Sequence, residues 1–124
     1  MKKEMFSTEI SILRDTFRRL LRRHAKTNII KLIDKTHPAD MALIFRYFND
    51  SEQDTVFAMM KPSEKTVEFL NELDEAITIR IVENETPSRI AEILEEASSN
   101  EQAYLMGLVE ETYAASVIDL FKAE

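Results

Sequence analysis

Two stretches of the sequence are copies of one pattern, and this internal repeat is the strongest constraint on the fold. Residues 38–60 and 87–109 align without a gap at an offset of 49 residues. Apolar residues align with apolar residues, and a repeat of this length cannot bury its apolar face alone, so the two copies are expected to stack as in helical solenoids. The aligned identities are Pro38 with Pro87, Ala42 with Ala91, Ile44 with Ile93, Glu52 with Glu101 and Gln53 with Gln102.

The scarcity of turn residues indicates helices rather than strands. The 124 residues include one Gly and three Pro, while strong helix formers occur throughout. Pro38 and Pro87 suit the first position of a helix, Ser51 is predicted to cap the next helix with Asp54 three residues on, and Pro62 is predicted to begin another. We predict an all-α fold, a superhelical stack of short helices resembling an α-solenoid.

The N-terminal segment predicts an amphipathic helix over residues 8–24. Its apolar stripe has spacings of 3, 4, 3 and 4 residues and should be buried. The stripe consists of Ile10, Leu13, Phe17, Leu20 and His24. The opposite arc is basic, with Arg18, Arg19, Arg22 and Arg23. The next helical neighbour is expected at Ile29–Ile33.

Charge divides the chain into two segments. Residues 1–35 hold ten Lys/Arg against four Asp/Glu, and residues 36–124 hold six against nineteen, which gives the net charge of -7. The length fits one domain, so we predict a basic helical segment at 1–35 packed on an acidic repeat region at 36–124. Such an acidic body disfavours nucleic acid and favours cations or basic partners.

Several kinds of chemistry find no support in the residues. The absence of Cys excludes disulfides and thiolate metal sites, and His24 and His37 alone do not make a zinc site. His37 fits a helix cap. No nucleophile elbow or phosphate loop is present, so no enzyme is predicted, and no apolar run of membrane-spanning length or signal peptide is seen. Core positions are expected for Phe45, Tyr47, Phe48, Met59 and Met60.

Three segments resemble one known family. The stretch "THPADMALIFRYFNDSEQ" resembles the opening repeat of the cytosolic N-terminal domain of MgtE-type magnesium transporters. "PSEKTVEFLNELDEAI" and "PSRIAEILEEASSNEQAYLMGLVEE" resemble later helices of that domain. The resemblance covers residues 8–124, and similar Leu/Glu-rich short helices occur in the flagellar switch protein FliG.

The resemblance implies a domain that helps to sense Mg²⁺ and close a pore. In the family it precedes a tandem CBS pair and a membrane channel domain, neither of which is in this sequence, and it lies in the cytoplasm at the inner face of the membrane. The CBS and pore domains are then the expected partners, with a homodimer formed through them. The alternative is a FliG-like helical scaffold that binds protein without a metal.

The resemblance also implies where a weakly bound, regulatory Mg²⁺ would be held. The family carries paired acids on the helix equivalent to residues 88–97, where this chain has Ser88 and Arg89 in place of the leading pair. Carboxylates suit Mg²⁺, although a run of acids is also typical of a solvated helix face. The candidate ligands are Glu92, Glu95 and Glu96, with Glu110 and Glu111 after the following helix.

The basic helix has three possible partners. These are the acidic repeats of the same chain, anionic lipid head groups and nucleic acid, of which nucleic acid ranks last because the rest of the chain repels phosphate. We expect no nucleic-acid binding, at most weak contact with anionic membranes, and loose pairing of the arginines with acids of neighbouring helices.

Overall fold

Helices make up the fold. The computed structural model describes the backbone of residues 2–122 and the side chains of residues 8–121. Within that part the chain forms nine helices and no strand, which confirms the all-α prediction. Between residues 2 and 122, no helix combines the length and the apolar character that crossing a membrane requires.

The chain divides into two compact units, Met1–Met60 and Lys61–Glu124. The charge boundary after residue 35 lies within the first unit, in the turn between its second and third helices. It is therefore a division of charge within one unit, and the arrangement as a single domain of segments 1–35 and 36–124 stays a prediction. Residue 1, the side chains of residues 2–7 and of residue 122, and residues 123 and 124 lie outside the described part of these segments.

The first unit packs its long N-terminal helix against two shorter ones. Its helices are α1 (Lys2–Arg22), α2 (Lys26–Lys35), α3 (Pro38–Phe45) and α4 (Asp50–Ala58). α1 contacts α2 and α3, and Phe17 meets Phe48 edge-on with ring centroids 6.0 Å apart. Of the predicted core residues Phe45, Phe48 and Met60 are buried and Met59 is half-buried, whereas Tyr47 is exposed beneath the guanidinium of Arg14.

The end of α1 corrects the predicted helix over residues 8–24. His24 lies past the helix, is exposed, and has a φ of 54° in the left-handed region. The amide of His24 donates to the carbonyl of Leu21 at 3.1 Å and the amide of Ala25 to that of Leu20 at 3.1 Å, which is a Schellman termination. The apolar spacing continued one step past the point where the backbone turns away, so the expected burial of His24 was wrong.

The second unit contains five helices. They are α5 (Glu64–Glu72), α6 (Glu75–Glu83), α7 (Pro87–Leu94), α8 (Ser99–Leu108) and α9 (Glu111–Lys122). α9 packs on α7 and α8, and α5 packs on the same two helices. Its core is apolar, with Phe69, Leu70, Ile81, Ile90 and Val117 nearly inaccessible to solvent.

The repeat predicted from the sequence corresponds to α3–α4 and α7–α8, and the two copies share their helix starts. His37 and Thr86, 49 residues apart, cap α3 and α7 through their side chains. Asn49 and Ser98, at the same offset, cap α4 and α8 with capping boxes. The cap predicted at Ser51 was therefore wrong, and Ser63 rather than Pro62 stands at the start of α5.

A glutamine closes each repeat at equivalent positions. The side-chain amide of Gln53 donates to the carbonyls of Phe45 at 2.7 Å and Phe48 at 3.4 Å. The amide of Gln102 donates to the carbonyls of Leu94 at 2.9 Å and Ala97 at 3.3 Å. Each glutamine thus donates hydrogen bonds to carbonyls that the end of the preceding helix leaves without a donor. A carbonyl buried without a hydrogen-bond partner would cost free energy.

Candidate metal-responsive site

α7 and the turn that follows it present Glu92, Glu95 and Glu96, and the sequence of α7 fixes which face of the helix is outward. Pro87 stands at the first helical position, and the hydroxyl of Thr86 accepts the amide of Arg89 at 3.3 Å. The guanidinium of Arg89 is held by the carboxylate of Glu85 at 2.9 Å. The buried face consists of Ile90, Ala91, Ile93 and Leu94. Glu92 is therefore placed on the solvent side.

Glu92 and Glu95 border one small open cavity between α7 and α9. The cavity measures about 170 Å³, and Ser88 and Ala91 complete its α7 side while Leu120 and Phe121 form its α9 side. Both glutamates are exposed. This places two carboxylates and one hydroxyl, which are hard oxygen donors of the kind that Mg²⁺ takes, beside an apolar wall.

Glu96 is not on the same helix as Glu92. α7 ends at Leu94, Glu95 is its C-terminal cap, and Glu96 follows in the turn that leads to Ala97. The helix expected over residues 88–97 therefore ends three residues early, and Glu92 and Glu96 do not share a helix face. The helix stops there because the amides of Glu96 and Ala97 bond to carbonyls three residues back, which tightens the final turn.

Glu110 has a structural role at the start of α9. Its carboxylate accepts the hydroxyl and the amide of Thr112, and the Thr112 hydroxyl is the main reason that the pKa of Glu110 is lowered. The amide of Glu110 donates to the carboxylate of Glu83 at 2.8 Å. Glu111 is exposed in the first turn of α9, where the helix dipole favours an acid.

Glu83 is a neighbour that the sequence did not indicate. It lies 27 residues before Glu110, and only the packing of the α6 end against the α8–α9 link brings the two together. The hydroxyl of Tyr113 donates to the carbonyl of Glu85 at 2.9 Å in the same region. Burial first, then the charges of Glu85 and Glu83, raises the pKa of Tyr113 to about 12.

The five predicted glutamates do not form one cluster. Within the described side chains of residues 8–121, no group of three or more His, Cys, Asp or Glu is arranged to hold a metal ion. The structure brings Glu92 and Glu95 to one cavity and leaves Glu110 and Glu111 at the α8–α9 link. A cation at either place would take its other ligands from water or from another domain.

The arginines of the predicted basic arc differ in their surroundings. Arg18 donates to the carbonyl of Tyr47 and lies 3.4 Å from the carboxylate of Glu52. Arg19, Arg22 and Arg23 are exposed. The predicted basic arc therefore has one arginine engaged in the fold and three at the surface.

Comparison with known proteins identifies the family. The model of the MgtE intracellular N domain matches residues 36–124, which is well over half of the chain. No curated protein and no solved structure gave a match. This family consists of transporter domains and not of enzymes. The match begins just before α3 and contains both copies of the repeat together with Glu92, Glu95 and Glu96, and the chain belongs to the family of MgtE intracellular N domains.

Proposed function

We propose that this chain is the Mg²⁺-responsive regulatory domain of an MgtE-type magnesium transporter, acting at the cytoplasmic face of the membrane. The observation that carries the proposal is the pair of exposed carboxylates, Glu92 and Glu95, at one cavity beside α7, within the residues that the family model matches. Two like charges held close together repel each other, and a divalent cation relieves that repulsion. Cation binding then stabilises whichever arrangement brings further ligands to this surface.

The residues present fit a weak, partly hydrated Mg²⁺ site rather than a closed cage. Mg²⁺ gives up its waters reluctantly and is commonly bound through one or two carboxylates. Glu92 and Glu95 can supply those, and Ser88 can accept or donate a hydrogen bond to a bound water. We propose that the CBS domains of the same transporter provide the remaining ligands, which makes the isolated chain a weak binder.

The test compares the thermal stability of the chain with and without millimolar Mg²⁺ at matched ionic strength. We expect a small rise in melting temperature, since only weak binding stabilises the folded state. The triple variant Glu92→Gln, Glu95→Gln, Glu96→Gln should lose that rise and keep its helix content.

The matched control removes three exposed acids from α5, with Glu64→Gln, Glu68→Gln and Glu72→Gln. It changes net charge by the same amount, so a general charge effect would reduce the Mg²⁺ response of both variants equally. A response that persists undiminished in the α7 variant would refute the assignment of this helix.

A protein-binding scaffold that ignores metal is the second candidate. The observation that favours it is the set of large apolar side chains left exposed on α1, α8 and α9 and in the turn after α3, namely Ile12, Tyr47, Tyr104, Ile118 and Leu120. Such side chains, when they lie close together, are typical of protein-interaction surfaces. This candidate predicts no Mg²⁺ response in the wild type, so the same experiment separates the two.

A further inference from the structure

One face of α1 is left largely uncovered by the rest of its unit. Four side chains lie on it, at spacings of 3, 4 and 3 residues that place them on one arc of the helix. They are Glu9, Ile12, Thr16 and Arg19, hereafter the α1 face. Ile12 is 62% exposed, more than any other large apolar side chain among residues 8–121. Neither Glu9 nor Arg19 forms an ion pair in that part of the chain.

An apolar groove adjoins this face. It has a volume of about 350 Å³, and it runs beside α1 between Ile12, Leu13 and Leu32, with the carboxylates of Glu9 and Asp40 at its border. Leu13 and Leu32 are half-buried, so the groove offers apolar surface that the fold leaves partly uncovered. A molecule that binds in this groove must therefore present apolar side chains and positive charge.

The α1 face itself meets both requirements. A twofold-symmetric interface uses the same patch on both copies, so the patch must be complementary to itself. When two α1 helices lie antiparallel with the axis near Arg14, Glu9 of one copy faces Arg19 of the other, and Ile12 faces Thr16. With a rise of about 1.5 Å per residue, Glu9 and Arg19 both lie about 7.5 Å from the axis, at opposite ends of the pairing.

We propose that the α1 face is a self-association surface, on which a second copy of the chain docks with its α1 antiparallel and its Ile12 against the groove. The two Glu9–Arg19 pairs set the direction of the helices, because a parallel pairing would place like charges together. Asp40 borders the same groove as Glu9 and adds negative charge near Arg19 of the second copy. A single helix pair is small for an interface, so the dimer should be weak, with a Kd on the order of 0.1 to 1 mM.

The test is sedimentation of the 124-residue chain over a concentration series, in EDTA so that the outcome is independent of any metal response. The wild type should show reversible dimerisation. Glu9→Arg places two arginines opposite each other at both ends of the helix pairing, and Arg19→Glu places two acids together in the same way. Each variant should therefore weaken association about tenfold. Both residues are exposed, so the circular dichroism spectrum should not change.

Mixing the two variants gives the decisive result. In a mixed dimer the Glu9→Arg copy supplies a positive charge and the Arg19→Glu copy a negative charge at both ends of the pairing, so the mixture should regain about the wild-type affinity. The double variant Glu9→Arg, Arg19→Glu exchanges the charges on every copy, which restores an oppositely charged pair at both ends, and it should associate with itself about as tightly as the wild type does.

Three results would overturn the proposal. The first is a wild type that stays monomeric up to about 1 mM. The second is a pair of single variants that associate normally. The third is a mixture or a double variant that remains as weak as either single variant, since the loss would then not come from the Glu9–Arg19 pairs.

Discussion

At the scale of single residues, the two capping boxes help to determine where α4 and α8 begin. The carbonyl oxygen of the Asn49 side chain accepts the amide of Glu52 at 2.8 Å, and the carboxylate of Glu52 accepts the amide of Asn49 at 2.8 Å. Ser98 and Glu101 repeat this exchange at the start of α8. The second carboxylate oxygen of each glutamate then contacts an earlier helix, Arg18 in the first unit and Asn71 in the second.

Replacing Asn49 tests which residue begins α4. Asn49→Ala leaves the amide of Glu52 without its acceptor and should lower the free energy of unfolding by about 0.5 to 2 kcal/mol. Ser51→Ala should change it by less than about 0.5 kcal/mol, because Ser51 is exposed within the first turn. Urea unfolding followed by circular dichroism measures both. A larger loss for Ser51→Ala would place the cap where the sequence pattern placed it.

Gln53 and Gln102 show that the equivalence of two positions is easier to predict from the sequence than the role of their side chains. Alignment of the two repeats pairs the two glutamines, yet a glutamine is usually expected at the protein surface. Gln53 is 5% exposed, and its role depends on carbonyls eight and five residues back that only the turn between helices leaves open. That turn geometry is not encoded in apolar spacing.

At the scale of elements, apolar spacing predicted the presence of helices and misplaced their ends. The Schellman turn at His24 and the early end of α7 at Leu94 are both decided by backbone hydrogen bonds beyond the last buried turn. The surroundings of Glu92 were likewise only partly predictable from apolar spacing. The exposure of Glu92 could be predicted because Ile90 and Ile93 fix the buried face, whereas its cavity required α9 to pack on α7.

At the same scale, Gly107 is expected to lower the stability of α8. It lies inside the helix without a positive φ, and an added Cβ would meet nothing within 4 Å. Glycine in a helix interior costs about 0.5 to 1 kcal/mol relative to alanine, since its unfolded backbone has more freedom to lose. Gly107→Ala should therefore raise the free energy of unfolding by that amount.

The matched control for this change is Ala103→Gly, one turn earlier on the exposed side of α8. It should lower the free energy of unfolding by a similar amount in the same urea experiment. If Gly107→Ala destabilised the chain while Ala103→Gly behaved as expected, the backbone at Gly107 would need a freedom that helical geometry does not explain.

At the scale of the whole molecule, the charge distribution sets which surfaces the chain can approach. The net charge is -7, with the excess of positive charge confined to residues 1–35. Arg18 is engaged by Glu52 and the carbonyl of Tyr47, so the exposed cations of the basic arc are Arg19, Arg22 and Arg23. An anionic surface is attracted by this arc and repelled by the remainder of the chain.

We therefore expect weak, salt-sensitive binding to vesicles that contain anionic lipid, since each Lys or Arg near such a surface contributes about 1 kcal/mol. Arg23→Gln should lower partitioning about fivefold in a vesicle co-sedimentation experiment. Lys61→Gln removes an exposed cation from the second unit and should leave partitioning unchanged if only the basic arc meets the lipid. Equal losses from both changes would show that attraction follows net charge alone. Unchanged binding at several times physiological salt would also contradict an electrostatic contact, because screening shortens its range to a few ångströms.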